Sequence, residues 1–192
     1  MAQRNRFGGR FDGILAGARR GEPEALGEIY NTLAPVVAGY LRMQGCREPD
    51  DLTSEVFVGV LRNLPAFDVD GDGDEAAFRS WVFTIAQRRL LDERRRMARK
   101  PTPSPLSSVV DPPASDDVEA SVALALEADH IRSLAAQLPP EQRDVVLLRL
   151  LGRLTVGDVA ATLGKTEGGV KALQRRGFQT IGRLLESEAT AR

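Results

Sequence analysis

The stretch PTPSPLSSVVDPPASDDVEAS, residues 101–121, holds five of the chain's eleven prolines and no basic residue. Proline removes an amide donor and clashes with the preceding turn, so such a stretch cannot continue a helix. It is too polar and too proline-rich to sit in a core, and it is expected to stay extended or disordered. The chain is thereby divided. On both sides of the division apolar residues recur at helical spacing, and period-two strand patterns are missing. The expectation is an all-α fold of two small helical domains joined by a flexible, Pro-rich, acidic linker. Residues 1–100 form the first domain, 101–125 the linker, and 126–192 a second domain containing a helix-turn-helix. A linker of about 25 residues reaches at most about 80 Å, more than the roughly 70 Å of two turns of duplex DNA.

Charge follows the same division. The formal net charge of −1 hides a segment, Arg88 to Lys100, with seven basic residues against Asp92 and Glu93. Between Pro101 and His130 there is no Lys or Arg, while Asp111, Asp116, Asp117, Glu119, Glu127 and Asp129 accumulate. From Arg149 to Arg183 the chain is basic again. Two cationic ends around an acidic connector suggest two contacts with a polyanion.

Other chemistries find little support. The single cysteine, Cys46, allows no internal disulfide and fits a reducing cytoplasm. The single histidine, His130, has no ligand cluster around it, so neither a metal nor another cofactor is expected. No phosphate-cradling glycine loop or nucleophile elbow is present, which argues against an enzyme. DVDGDGDE begins like a calcium loop at Asp68, Asp70, Asp72 and Gly73, but Arg79 stands where the bidentate glutamate belongs. No apolar run is long enough to span a bilayer, and MAQRNRFGGRF lacks a signal-peptide core.

In the first half, EPEALGEIYNTLAPVVAGYLRMQG reads as helix, with Pro35 expected to kink or divide it. PDDLTSEVFVGVLRNLP opens on acidic residues and closes on Pro65, ordinary start and stop signals. Val56, Val60 and Leu64 make one stripe, with Phe57 and Leu61 beside it. Then FRSWVFTIAQRRLLDERRR gathers Trp81, Val82 and Ile85 around Phe78. The same stripe continues into Arg89, Asp92 and Arg96, so this helix is expected to leave its core near Gln87. Phe83, Gln87 and Arg94 lie on another side, suited to unstacked bases.

In the second half, LTVGDVAATLGKTEGGVKALQRRGFQTIGRLL has helix-turn-helix form. Thr155 and Asp158 make a capping box, Gly164 the turn, and Thr166 the second cap. Val170, Leu173, Ile181 and Leu184 share one face beside Phe178, opposite Lys171, Arg175, Gln179 and Arg183. Gly168 and Gly169 weaken the helix by about 1 kcal/mol each, and close backbone approach to DNA would offset that. On these patterns alone, a promoter-specificity subunit, a self-sufficient dimeric regulator on paired half-sites and a protein-interaction adaptor remain open.

DDLTSEVFVGVLRNL, FRSWVFTIAQRRLLDERRR and LPPEQRDVVLLRLLGRLTVGDVAATLGKTEGGVKALQRR, in that order, resemble an extracytoplasmic-function sigma factor. These are small two-domain members of the bacterial primary sigma family, and the likeness covers Glu22 to Leu185. It implies an alternative sigma factor that binds core RNA polymerase, directs it to promoters and assists their melting. Asp50, Asp51, Glu55 and Phe57 fall where the family docks on the clamp helices of the polymerase's largest subunit. Phe67, Asp68, Phe83, Gln87, Arg88, Arg89, Arg94 and Arg95 fall where it reads and melts the minus-10 element, capturing a flipped base. Thr166, Glu167, Lys171, Arg175 and Arg176 fall at the minus-35 element, although Ala172 and Leu173 replace the Ser or Arg common there. The acidic linker would enter the polymerase cleft towards the RNA exit path. The chain ends soon after its last helix, so regulation is expected from outside, through an anti-sigma factor in the cytoplasm.

Overall fold

The computed structural model describes residues 6–67, 75–99 and 118–190, with the backbone alone over 118–127. Among the described residues the long elements are all helices: α1 (Phe11–Arg19), α2 (Pro23–Met43), α3 (Pro49–Asn63), α4 (Glu75–Arg99), α5 (Val118–Gln137), α6 (Pro140–Leu150), α7 (Val156–Leu163) and α8 (Glu167–Thr190). A 3-10 turn, Leu64–Ala66, follows α3.

Local chemistry sets most of the boundaries. Pro23, Pro49 and Pro140 each open a helix, where the missing amide would have had no partner. Asp50 and Asp51 occupy the first turn of α3, at the positive end of its dipole. Pro35 does not divide α2, which runs as one helix to Met43. Proline inside a helix costs about 3 kcal/mol. Pro35 itself is exposed, whereas Leu33, Ala34, Val37 and Ala38 around it are buried. Burying each larger apolar side chain is worth about 1.5–3 kcal/mol, so packing outweighs the proline. Helix α5 begins at Val118, inside the stretch 101–125 expected to be linker.

Aromatic rings hold the first unit together. Phe7, Phe11 and Phe78 stand in sequence with centroids 5.4 Å apart at each step, and Phe67 joins Phe78 at 5.3 Å. Such tilted and edge-on pairs add roughly 0.5–1.5 kcal/mol each beyond burial. Helix α4 runs through this core farther than its sequence suggests, because Leu90 is fully buried. The stripe that turns to arginine after Ile85 is only one side of the helix; Phe83, Ala86, Gln87 and Leu90 occupy another side, and it stays inside.

The core does not stop at the linker. Phe83 belongs to the same buried cluster as Val145, Leu148, Leu154 and Val159 of the second unit. Helix α4 lies against α7, and α2 against α5 and α6.

Within the second unit α8 packs on α6 at Gly177, where a Cβ would stand 2.6 Å from Val146 Cγ2. Valine is stiff about χ1 and cannot swing aside. Gly177→Ala should therefore destabilise by about 1–2 kcal/mol, as overpacking exceeds the helix-propensity gain. Gly182, five residues on in the same helix, has nothing within 4 Å of its Cβ position. Gly182→Ala should stabilise by up to about 1 kcal/mol. Urea unfolding of both variants checks the opposite signs; equal shifts would contradict this packing.

Candidate nucleic-acid and polymerase surfaces

Three surfaces carry the residues singled out from the sequence. The first is on α3. Asp51 and Glu55 are exposed, and Asp50, also exposed, pairs with Arg42 at 2.5 Å. Phe57 is buried, its ring edge-on to Tyr30 at 4.9 Å, so it supports this surface from beneath. Tyr30, Val58 and Leu61 are exposed at 44%, 54% and 43%. Sequence reasoning missed this apolar patch as a contact surface. The available signal was the spacing of Val58 and Leu61, one turn apart and outside the Val56–Val60–Leu64 stripe.

The second surface is the far half of α4. Arg88, Arg89, Arg95, Arg96 and Arg99 are exposed. Arg95 makes only a surface pair with Asp92 at 3.3 Å, worth little in water. Arg89, Arg96 and Arg99 line an open groove with Asp92 and with Glu55 of α3. Arg94 is different: it donates to the backbone carbonyl and to Oε1 of Gln44, both at 2.9 Å. Phe83 is fully buried, edge-on to Tyr40 at 5.4 Å, and Gln87 accepts the Tyr40 hydroxyl. In this arrangement neither offers a face to a base. Phe67 is buried too, with Trp81 stacked on it at 4.7 Å and only half-buried. Its carbonyl accepts from Arg19 of α1. Asp68 and the rest of 68–74 lie outside the described residues, as do Lys100 and the linker over 101–117.

Glu75, counted with the acidic loop from its sequence, is instead buried. It accepts the backbone amide of Arg6 at 2.9 Å and Arg79 Nη1 at 3.0 Å. Arg79 is also buried, and its Nε and Nη2 donate to the carbonyls of Gly152 and Arg153 at 2.8 and 3.3 Å.

The third surface is the helix-turn-helix. Thr155 and Asp158 exchange capping hydrogen bonds at 3.1 and 3.0 Å, closing the box. Gly164 takes φ 63°, a left-handed turn that glycine adopts without strain. The Thr166 hydroxyl accepts from Gly169 N at 3.1 Å and caps α8. Thr166, Glu167, Lys171, Arg175 and Arg176 are all exposed on the leading turns of α8, with Gly168 open beside them. Leu173 is buried and Ala172 half-buried, so the exposed face of these turns is made by the flanking positions.

Groups that could do other chemistry are occupied. Cys46 donates to Glu93 at 3.2 Å, and burial together with that bond pushes its thiol up to about 12, leaving it unreactive at neutral pH. His130 faces Glu188 at 3.3 Å on the surface. Among the described residues no three His, Cys, Asp or Glu side chains are grouped to hold a metal.

Comparison with known proteins follows the same division. Residues 29–100 match the family Sigma-70 region 2, and residues 129–181 match Sigma-70, region 4. The chain is 33% identical over 182 residues to the ECF RNA polymerase sigma factor BldN of Streptomyces coelicolor, covering 92% of this chain and 66% of BldN. It is 30% identical over 162 residues to SigL of Mycobacterium tuberculosis, covering 82% of this chain and 87% of SigL. In fold it resembles CnrH, solved with the cytosolic domain of CnrY, at a TM-score of 0.65 and 22% identity over 92% of this chain and 97% of CnrH.

A polar cluster at the junction of the two units has a pH signature. Gln44, the residue that follows α2, donates to Asp144 of α6 at 2.8 Å. Burial raises the Asp144 carboxyl, against the opposing pull of Gln44, Arg94 and Arg143. A carboxyl whose pKa is higher folded than unfolded weakens the fold at neutral pH; that penalty fades as pH falls through the raised folded value and is gone below the ordinary one. Asp144→Asn keeps an oxygen for Gln44 and removes the charge. It should raise the melting temperature near pH 7 and match the parent near pH 3. A lower melting temperature near pH 7 would mean the attraction of Arg94 and Arg143 outweighs burial.

Proposed function

The chain belongs to the extracytoplasmic-function RNA polymerase sigma factors, and on that premise we propose that it binds core RNA polymerase, directs it to a set of promoters and assists their melting. The observation that carries this reading is the separation of three exposed surfaces on one small helical scaffold. An apolar and acidic patch on α2 and α3 suits a protein partner, and the two basic surfaces on α4 and α8 suit nucleic acid.

Docking on the polymerase falls to α3. Asp51 and Glu55 ring the apolar centre made by Tyr30, Val58 and Leu61. Desolvated apolar side chains with a charged rim are the arrangement that holds protein interfaces. The clamp helices of the largest subunit are the partner this surface fits. The exposed arginines of α4 then meet phosphates of the minus-10 region, where neutralised charges release counterions and make binding steeply salt-dependent. The half-buried Trp81, whose ring lies 4.7 Å from that of Phe67, is an aromatic surface on which a flipped base could be taken up. Glu167, Lys171, Arg175 and Arg176 on the leading turns of α8 read the minus-35 element in the major groove.

RNA synthesis itself stays with the polymerase; this chain supplies address and opening. It works in the cytoplasm beside the chromosome, and no described helix is long and apolar enough to cross a membrane. An anti-sigma partner would act by covering the α3 patch or the basic surfaces.

Transcription by purified core polymerase on a promoter library tests the class. RNA that appears only with this chain supports it; tight binding of a palindrome by the chain alone, with no promoter responding, replaces it with a dimeric regulator. On a responding promoter, Val58→Asp should weaken core association at least tenfold while leaving stability nearly unchanged, since the site is exposed. Arg88→Ala with Arg89→Ala should leave core association within about twofold. It should impair open-complex formation and lower the salt slope of DNA binding by about 2, roughly one unit per lost phosphate contact.

A further inference from the structure

Helix α1 and the turn before it lie ahead of the region 2 match, which begins at residue 29. They are nevertheless fastened to the residues on either side of 68–74. Phe67 follows the 3-10 turn Leu64–Ala66, and there the backbone becomes extended, at φ −71° and ψ 94°. Its amide donates to the Leu64 carbonyl at 3.1 Å. Its own carbonyl has left the helical ladder, and Arg19, in the last turn of α1, donates to it from Nη2. On the other side Glu75 accepts from the Arg6 and Phe7 amides at 2.9 and 3.5 Å.

A second connection is apolar. Phe7 meets Phe11, Phe11 meets Phe78, Phe78 meets Phe67, and Phe67 meets Trp81, with centroids 5.4, 5.4, 5.3 and 4.7 Å apart. The four phenylalanines are buried, and Trp81, at the end of the run, is half-buried. Interiors are close-packed, so a displacement of Phe67 is passed to the ring beside it. Ile14, Leu15 and Ala18 seat α1 on this core, whereas Arg19 is exposed. The tie from Arg19 to Phe67 therefore supplies direction and little burial.

We infer that α1 takes part in promoter reading, with Arg19 as a positioning residue: by holding the Phe67 carbonyl it sets the angle at which Trp81 meets an unpaired minus-10 base. The inference rests on the function proposed above. A guanidinium on a carbonyl makes a strong, charge-assisted hydrogen bond. Its loss withdraws a donor from a partly buried oxygen and frees Phe67 to shift. Contact between a ring and a base depends on how the two faces are offset. A shifted Trp81 consequently blurs the preference for one base over another, and the fold survives.

Trp81 is the chain's single tryptophan, so its fluorescence reports this surface without a label. Arg19→Ala should raise the acrylamide quenching constant of the free chain by about half or more. Its melting temperature should stay within about 4 °C of the parent's, because the site is exposed. In complex with core polymerase, on a promoter that the parent serves, this variant should form open complexes about fivefold less well. On derivatives with one unfavourable minus-10 base it should lose less than about twofold, so that discrimination flattens. Core association and binding of the minus-35 duplex should stay within about twofold. Arg19→Lys keeps a charged donor and should restore at least half of the discrimination.

Arg20→Ala removes the same charge one residue along, where the guanidinium pairs with Glu22 at 2.8 Å. It should match the parent in quenching and in discrimination. Unchanged quenching in Arg19→Ala overturns the inference, as does discrimination equal to the parent's. An equal loss in Arg19→Ala and Arg20→Ala also overturns it, since that would be a plain effect of charge on phosphates. If the parent serves no promoter, the proposed function fails and takes base reading with it. Parent-like quenching in Arg19→Ala, on a chain that does serve a promoter, sinks this inference alone.

Discussion

The arrangement depends on how one buried charge is satisfied. A guanidinium taken out of water is costly unless each donor finds an acceptor. Arg79 sits at the head of α4 and is 3% exposed. Its partners come from two sides: the Glu75 carboxylate one turn back, and the Gly152 and Arg153 carbonyls more than seventy residues on. Glu75 in turn takes the backbone amide of Arg6, which pins the segment ahead of α1 to the start of α4. One ion pair therefore ties the N-terminal segment, helix α4 and the second unit together. Hydrogen bonds fix direction more closely than apolar burial does.

That constraint explains which features could be read in the sequence and which could not. The helix-turn-helix was legible residue by residue: Thr155 with Asp158, Gly164 and Thr166 all act within three or four positions. The start of α3 was legible for the same reason. Phe83, Gln87 and Glu75 were not. Whether Phe83 faces a base or a core depends on Tyr40 and Gly152, far away in the chain, and no helical wheel contains them. Pro35 shows the converse: its local rule is sound, but the buried residues on either side of it overrule it. Arg88, Arg89, Arg95, Arg96 and Arg99 were legible because density of charge alone keeps them at the surface.

Helix α4 thus combines two demands in one element. Its first half needs a tight apolar seat so that the second half projects at a defined angle. The crowded arginines of that second half repel one another, and such repulsion is relieved only by a polyanion or by scattered carboxylates. Asp92 and Glu55 provide a little of the latter along the groove with Arg89, Arg96 and Arg99. They leave most of the positive field outward.

The strength of the junction between the two units matters as much as its geometry. Its polar contacts are few: Arg79 to two carbonyls, Thr84 to Thr162, and Gln44 to Asp144. Each contributes about 1 kcal/mol net, somewhat more where a charge takes part, and part of that is offset by burying the Asp144 carboxylate. The apolar part includes Phe83 and its neighbours in the shared cluster.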